Sequence, residues 1–205
     1  MITGPRYKIA KRLGASVFEK AQTQKFALSA DRSAKNKRRS RGGRQSEYGK
    51  QMLEKQKVRV TYGLPERQFR NYVRKALSST HEMKPIERLH ELLELRLDNV
   101  IWRLGLAKTR REARQMTAHG HIVVNGKRSR VPSQALKTGD RLAVREGSRN
   151  HGVLVGFSDR FVERPLPSWL SWDSKTMEGS IIERPTAASA DPAGDLVAVL
   201  SFYTR

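Results

Sequence analysis

The chain has 205 residues, carries 41 Lys and Arg against 20 Asp and Glu for a formal net charge of +21, and contains no cysteine. That length suits one substantial domain or two small ones, and the lack of cysteine excludes disulfides and the usual cysteine-ligated zinc sites. No run of about 18 apolar residues is present to span a membrane, and a charge this positive calls for a polyanion, of which nucleic acid is the commonest.

The charge is unevenly placed. Residues 1–60 hold 17 basic and 4 acidic side chains, residues 61–150 hold 19 and 9, and residues 151–205 hold 5 and 7. A polyanion contact therefore belongs to the first three quarters, and the last quarter is expected to pack or to meet a protein. Met1–Ala10 lacks the apolar core and cleavage site of a secretory signal. The Lys, Arg and Ser content of the first 45 residues also fits a basic organellar leader.

Residues 1–45 show little apolar periodicity, and Lys35–Arg44 is a basic run with a Gly42-Gly43 pair. This segment reads as a basic extension, partly disordered without RNA. Ser46 opens a helix carrying Lys50, Lys55, Lys57 and Arg59, which ends at Tyr62-Gly63. Pro65 starts the next. There Phe69, Tyr72, Val73, Ala76 and Leu77 form one apolar face, and Arg67, Arg70 and Arg74 recur on another. Such an arginine row is either a solvated face or a phosphate-tracking one. The lack of an intervening acid favours phosphate.

Pro85 restarts a helix, and Ile86, Leu89, Leu93, Leu97, Val100, Ile101 and Leu104 make a long apolar stripe ending at Gly105. Thr109-Arg110-Arg111-Glu112 is a capping box. The Thr109 hydroxyl is expected to accept from the Glu112 N–H, and the Glu112 carboxylate to reach back to the Thr109 N–H. The helix dipole disfavours Arg110, Arg111 and Arg114 in these first turns, so their presence points to an external anion. His119 and His121 flank Gly120, as polar residues at a helix end or as RNA contacts.

Ile122–Val124 reads as a strand, Asn125-Gly126 as a hairpin turn, and Leu142–Val144 as a strand after the Gly139-Asp140 turn. Lys127, Arg128 and Arg130 follow the hairpin turn. Beyond a boundary at Ser148–Gly152, Trp169–Trp172, Ser180–Ile182 and Leu196–Leu200 are expected as short strands. Trp102, Trp169 and Trp172 read as packing residues. No phosphate-binding Gly loop, dinucleotide fingerprint, nucleophile elbow or zinc-protease spacing occurs, so an enzyme is not expected.

Several segments together resemble ribosomal protein four of the bacterial small subunit. They are Ser46–Gly49, Glu54–Arg59, Tyr62-Gly63, Glu66–Tyr72, Leu95–Val100, Arg103–Gly105, Thr109–Gln115, His119–His121, Val124–Gly126, Val131–Ser133, Trp169-Leu170 and Met177–Gly179. The likeness spans about residues 44–205. Its first block is specific, whereas the block from Leu95 to Glu146 is shared with pseudouridine synthases, tyrosyl-tRNA synthetases and a heat-shock protein. The family implies an α+β fold: a helical first domain at 46–94 and 161–205 with short C-terminal strands, and an inserted alpha-L-type RNA-binding module at 95–160. It implies a ribosomal protein of the cytoplasm, more than of an organelle, with no cofactor and no membrane.

The resemblance further implies direct binding of 16S-type ribosomal RNA, nucleation of the subunit body, and contact with ribosomal protein five that bears on decoding accuracy. Some members repress their own message. The RNA-binding set is then expected to be Arg41, Arg44, Lys50, Lys55, Lys57, Arg59, Arg67, Arg70, Arg74, Arg96, Lys108, Thr109, Arg110, Arg111, Arg114, His119, Asn125, Lys127 and Arg128. Within it, Arg41 and Arg44 are placed toward messenger RNA at its entry channel. Three departures stand out: no cysteine-rich zinc knuckle, Lys37–Arg44 in place of a Pro-Gly-Gln-His-Gly turn, and Trp102 and Thr117 where Tyr and an apolar residue are usual. The rival classes are an RNA-modifying enzyme carrying the same module, which would need a further catalytic domain, and a free RNA chaperone.

Overall fold

A computed structural model of the chain describes residues 4–14, 17–18, 21–29, 32, 46–78, 83–149, 166–186 and 193–204. In chain order the elements are α1 (Arg6–Leu13), α2 (Glu47–Thr61), α3 (Glu66–Leu77), α4 (Pro85–Glu94), α5 (Leu97–Arg103), α6 (Arg110–His119), β1 (Ile122–Val124), β2 (Lys127–Ser129), β3 (Arg141–Val144), β4 (Leu170–Asp173), β5 (Glu178–Ile181) and α7 (Leu196–Tyr203). Contacts group the described residues into two compact units, one within Met1–Ser78 and Pro192–Arg205, the other within Ser79–Asp191. The expected RNA-binding basics Arg41 and Arg44 lie outside the described residues.

In the first unit Ser46 caps α2, its hydroxyl accepting the Gly49 N–H at 3.2 Å. Gly63, at φ 64°, turns the chain into α3. Phe69, Val73 and Ala76 are fully buried, as the periodicity requires, while Leu77, expected on the same face, is exposed. That packing leaves Arg67, Arg70 and Arg74 pointing outward.

Leu196–Leu200, expected as a strand, is instead the start of helix α7. One Asp195 carboxylate oxygen accepts the N–H groups of Val197 and Ala198 at 2.8 and 3.0 Å, and Glu54 accepts the Asp195 N–H at 3.0 Å. Leu196, Val199 and Leu200 then fall at i, i+3 and i+4 and are buried. An all-apolar run has no period that separates strand from helix; the cap decides it.

In the second unit the single stripe expected from Ile86 to Leu104 is broken. α4 stops at Glu94, and Arg96 adopts an extended conformation (φ −72°, ψ 136°) that bridges to Ala135. Leu97 and Asp98 donate their N–H groups to Gln134 and Pro132, and Leu136 donates to Leu95. α5 therefore starts afresh, with Asp98 and Asn99 in its first turn.

A five-stranded antiparallel sheet, ordered β2-β1-β3-β5-β4, packs on α5 and α6 around Leu97, Val100, Ile101, Ala113, Met116, Ile122, Leu142 and Trp169. Trp102 and Trp172 pack partly buried against the same cluster. Asn125 (φ 48°) and Gly126 (φ 78°) make the two-residue turn joining β1 to β2. β5 pairs with β3, so β4 and β5 extend this sheet, and only the segment around α7 returns to the first unit. The expected division, with 161–205 attached to the first domain, differs from this grouping because ladder hydrogen bonds tie residues 170–181 to β3.

Candidate nucleic-acid interface

The capping box at Thr109 is present with one change. The Thr109 hydroxyl accepts the Glu112 N–H at 3.1 Å, but the Glu112 carboxylate takes the Lys108 N–H at 2.6 Å and not that of Thr109. This fixes the start of α6 with Lys108 and Arg111 exposed. Arg110 and Arg114, one turn apart, bend over the first turn of α5.

There they meet a buried polar network. Arg114 donates Nε and Nη2 to Oδ2 of Asp98 at 3.0 and 2.8 Å. From within, Arg96 donates to both oxygens of the same carboxylate at 3.0 and 2.7 Å. Arg110 donates Nε to Asn99 Oδ1 at 2.8 Å and stacks on Trp102 with its guanidinium carbon 3.6 Å from the ring centroid. The Asn99 amide donates to the Glu94 backbone and side chain, and Glu94 also receives two bonds from Arg103. Glu94, Arg96, Asp98 and Asn99 are 0, 2, 4 and 2% exposed.

Arg96, expected as an RNA contact, is thus interior; its charge is consumed by Asp98. His90 is also buried, and burial pushes its imidazole down despite the opposing pull of Glu94.

At the other end of α6, Arg128 donates Nε to the Gly120 carbonyl at 2.8 Å and Nη2 to that of His119 at 2.8 Å, a cation on a helix C-terminus. Partial desolvation and the like charges of Arg130 and Arg145 lower its pKa. Exposed Lys127 and Arg130 stand beside it. Asn125 serves the hairpin itself, donating to Asp140 and accepting the Arg141 N–H, each at 2.8 Å. His119 is exposed, and His121 pairs with Ser148 at 2.9 Å.

In the first unit the basic side chains of α2 already have partners. Lys50 pairs with Glu47, Lys57 with Glu54, and Lys55 and Arg59 both with Glu66. Lys55 is buried under the Phe202 and Tyr203 rings, an expected RNA contact that the structure places inside. Tyr203 also donates to Glu66 at 2.6 Å. By contrast Arg67, Arg70 and Arg74 are exposed on α3 and make no ion pair among the described residues. The described residues hold no cluster of three or more metal-ligating side chains, and no described helix is long and apolar enough to cross a membrane.

Residues 95–142 match the S4 domain, and residues 1–94 match the ribosomal protein S4/S9 N-terminal domain. The chain is 40% identical over 203 residues to small ribosomal subunit protein uS4 of Latilactobacillus sakei subsp. sakei (strain 23K), covering 99% of this chain and 98% of that protein. The chain belongs to the uS4 family. It is also 40% identical over 206 residues to the uS4 protein of Chromobacterium violaceum, with 98% of each covered. This is a family of ribosomal proteins and not of enzymes. The arginines of α6 and the β1–β2 hairpin fall inside the S4 domain match, whereas the α3 row falls inside the N-terminal domain match. Sequence reasoning missed Glu94, Asp98, Asn99 and Trp102 as parts of this site. The available signal was a polar pair, Asp98-Asn99, set within an apolar stripe.

Proposed function

We propose that the chain is a structural constituent of the small ribosomal subunit that binds its 16S-type RNA directly and nucleates assembly of the subunit body. The observation that carries this reading is the α6 surface within the S4 domain. It offers exposed Lys108 and Arg111, two oriented arginines and the hairpin cations on a rigid core. The exposed arginine row on α3 supports a second contact with phosphates. Shape and phosphate spacing are read more than base sequence, as is usual for folded RNA.

The family resemblance extends the proposal to contact with ribosomal protein five that bears on accuracy, and to Arg41 and Arg44 approaching the message. Message crosslinks to these two residues in translating ribosomes test the latter, and their absence counts against it. An RNA-modifying enzyme is disfavoured because the likeness to ribosomal uS4 proteins runs over 98–99% of this chain and takes in the N-terminal domain as well as the shared S4 domain.

The direct test is competition. The purified chain should prefer small-subunit ribosomal RNA over an unrelated RNA of equal length, and equal binding would reject the proposal. Replacing Arg110 and Arg111 together by Ala should weaken binding and flatten its salt dependence by about 0.7–0.9 log units per lost phosphate contact. An unchanged slope removes both from the interface.

A further inference from the structure

We propose that Asp98, Asn99 and Trp102 are positioning residues for RNA: they hold the guanidinium planes of Arg110 and Arg114 in one orientation before nucleic acid arrives. The module then recognises the spacing and plane of RNA acceptors and not positive charge alone. This inference rests on the RNA-binding reading above and adds which side chains set its geometry.

Each tether is itself tethered. Asp98 grips Arg114 through two hydrogen bonds to one oxygen, and it cannot swing away because Arg96 holds both its oxygens from the interior side. Asn99 presents its carbonyl to Arg110 because its amide is pinned to the backbone and carboxylate of Glu94. Trp102 supplies a flat surface 3.6 Å from the Arg110 guanidinium carbon, which fixes the plane as well as the position. Asp98 and Asn99 are buried in the first turn of α5, where helix geometry and the break at Leu95-Arg96 hold them, and Trp102 lies partly buried in its last turn. Ordering a long side chain at an interface ordinarily reduces affinity; here the ordering is complete before binding.

A lysine separates positioning from charge, because it keeps the positive charge but lacks the planar fork and the stacking surface. The full chain carrying Arg110→Lys, Arg114→Lys or Arg111→Lys is titrated with small-subunit ribosomal RNA at several salt concentrations. Arg110→Lys and Arg114→Lys should each weaken binding by about 2- to 12-fold, the range for ordering one long side chain, with the salt slope unchanged. Arg111→Lys, exposed and without an ion pair among the described residues, should bind as the parent does. Trp102→Leu should weaken binding like Arg110→Lys, and Trp102→Phe, which keeps an aromatic face, should restore it.

Lysine variants that bind as tightly as the parent, while Arg110→Ala and Arg114→Ala bind more weakly, would overturn the positioning role and leave the RNA-binding reading intact. If the alanine variants also bind like the parent, the two arginines are outside the interface and the positioning role falls, while the RNA-binding reading falls only if the chain also shows no preference for small-subunit ribosomal RNA. Should Arg114→Lys unfold, Arg110→Lys and the Trp102 pair still decide the matter. They leave Asp98 paired with Arg96 and Glu94 paired with Arg103.

Discussion

Two helices carry arginines toward solvent, and they prepare them differently. On α6, Arg110 and Arg114 are braced by Asn99, Trp102 and Asp98 of the preceding helix. On α3, Arg67, Arg70 and Arg74 stand on an exposed face with no ion pair among the described residues, above the buried Phe69, Val73 and Ala76. The same residue type thus serves as a fixed fork in one unit and as an adaptable charge in the other. A fixed fork gains from matching one geometry, whereas a free row tolerates many phosphate arrangements and depends more on ionic strength. The contrast extends to the carboxylates: Asp98 is buried between two guanidinium groups, while Glu66 is half-exposed among Lys55, Arg59 and Tyr203.

The largest expected effect falls on the buried hub. Asp98→Ala strands Arg96 in the interior and should destabilise the second unit by about 3–5 kcal/mol. Urea unfolding or hydrogen exchange on the full chain measures this, and a loss below about 1 kcal/mol would mean that Arg96 finds water.

Replacing Arg67, Arg70 and Arg74 together by Ala should do the opposite. Stability should stay within about 0.5 kcal/mol per site, while the log–log salt slope for ribosomal RNA falls by roughly two to three. A change in stability without a change in slope would erase the distinction between the helices.

The smallest effect concerns pH in the first unit. Burial alone would raise the Glu66 pKa, but hydrogen bonds from Tyr203 and Lys55 and the charges of Lys55 and Arg59 outweigh it, so it lies below its ordinary value. A carboxylate depressed on folding contributes stability above its unfolded pKa, near 4.3, and loses it as pH falls through the lower folded value. Burial and then the Glu66 hydrogen bond correspondingly raise the Tyr203 hydroxyl. Glu66→Gln should flatten that acid-side slope in thermal unfolding, and an unchanged slope would show that Glu66 does not report on folding.

The sequence made some of this plain and concealed the rest for identifiable reasons. Asn125-Gly126 and Thr109–Glu112 carry their geometry in their own side chains, so the hairpin and the α6 cap are legible, although Glu112 selects Lys108. Helix α7 was hidden because Leu196–Leu200 is apolar throughout, even though Asp195 stood at its start as a cap. The break at Arg96 was hidden because α4 and α5 continue the same apolar phase; the interruption comes from pairing with a segment near Ala135, distant in sequence. Arg96 and Lys55 entered the expected RNA-binding set as basic side chains, but Arg96 turns inward onto Asp98 two residues on and Lys55 onto Glu66 of the next helix, pairings that residue type alone does not reveal. Strands β4 and β5 were visible as strands, but their partner β3 was not.

The contrast between the two arginine helices is tested most directly by NMR relaxation of arginine Nε–H groups in the free full-length chain. Arg96, Arg110 and Arg114 should give order parameters near the rigid-backbone value of about 0.85, and Arg67, Arg70 and Arg74 values below about 0.6. Uniformly low values for all six would contradict the claim that this fold sets the α6 arginines before RNA binds.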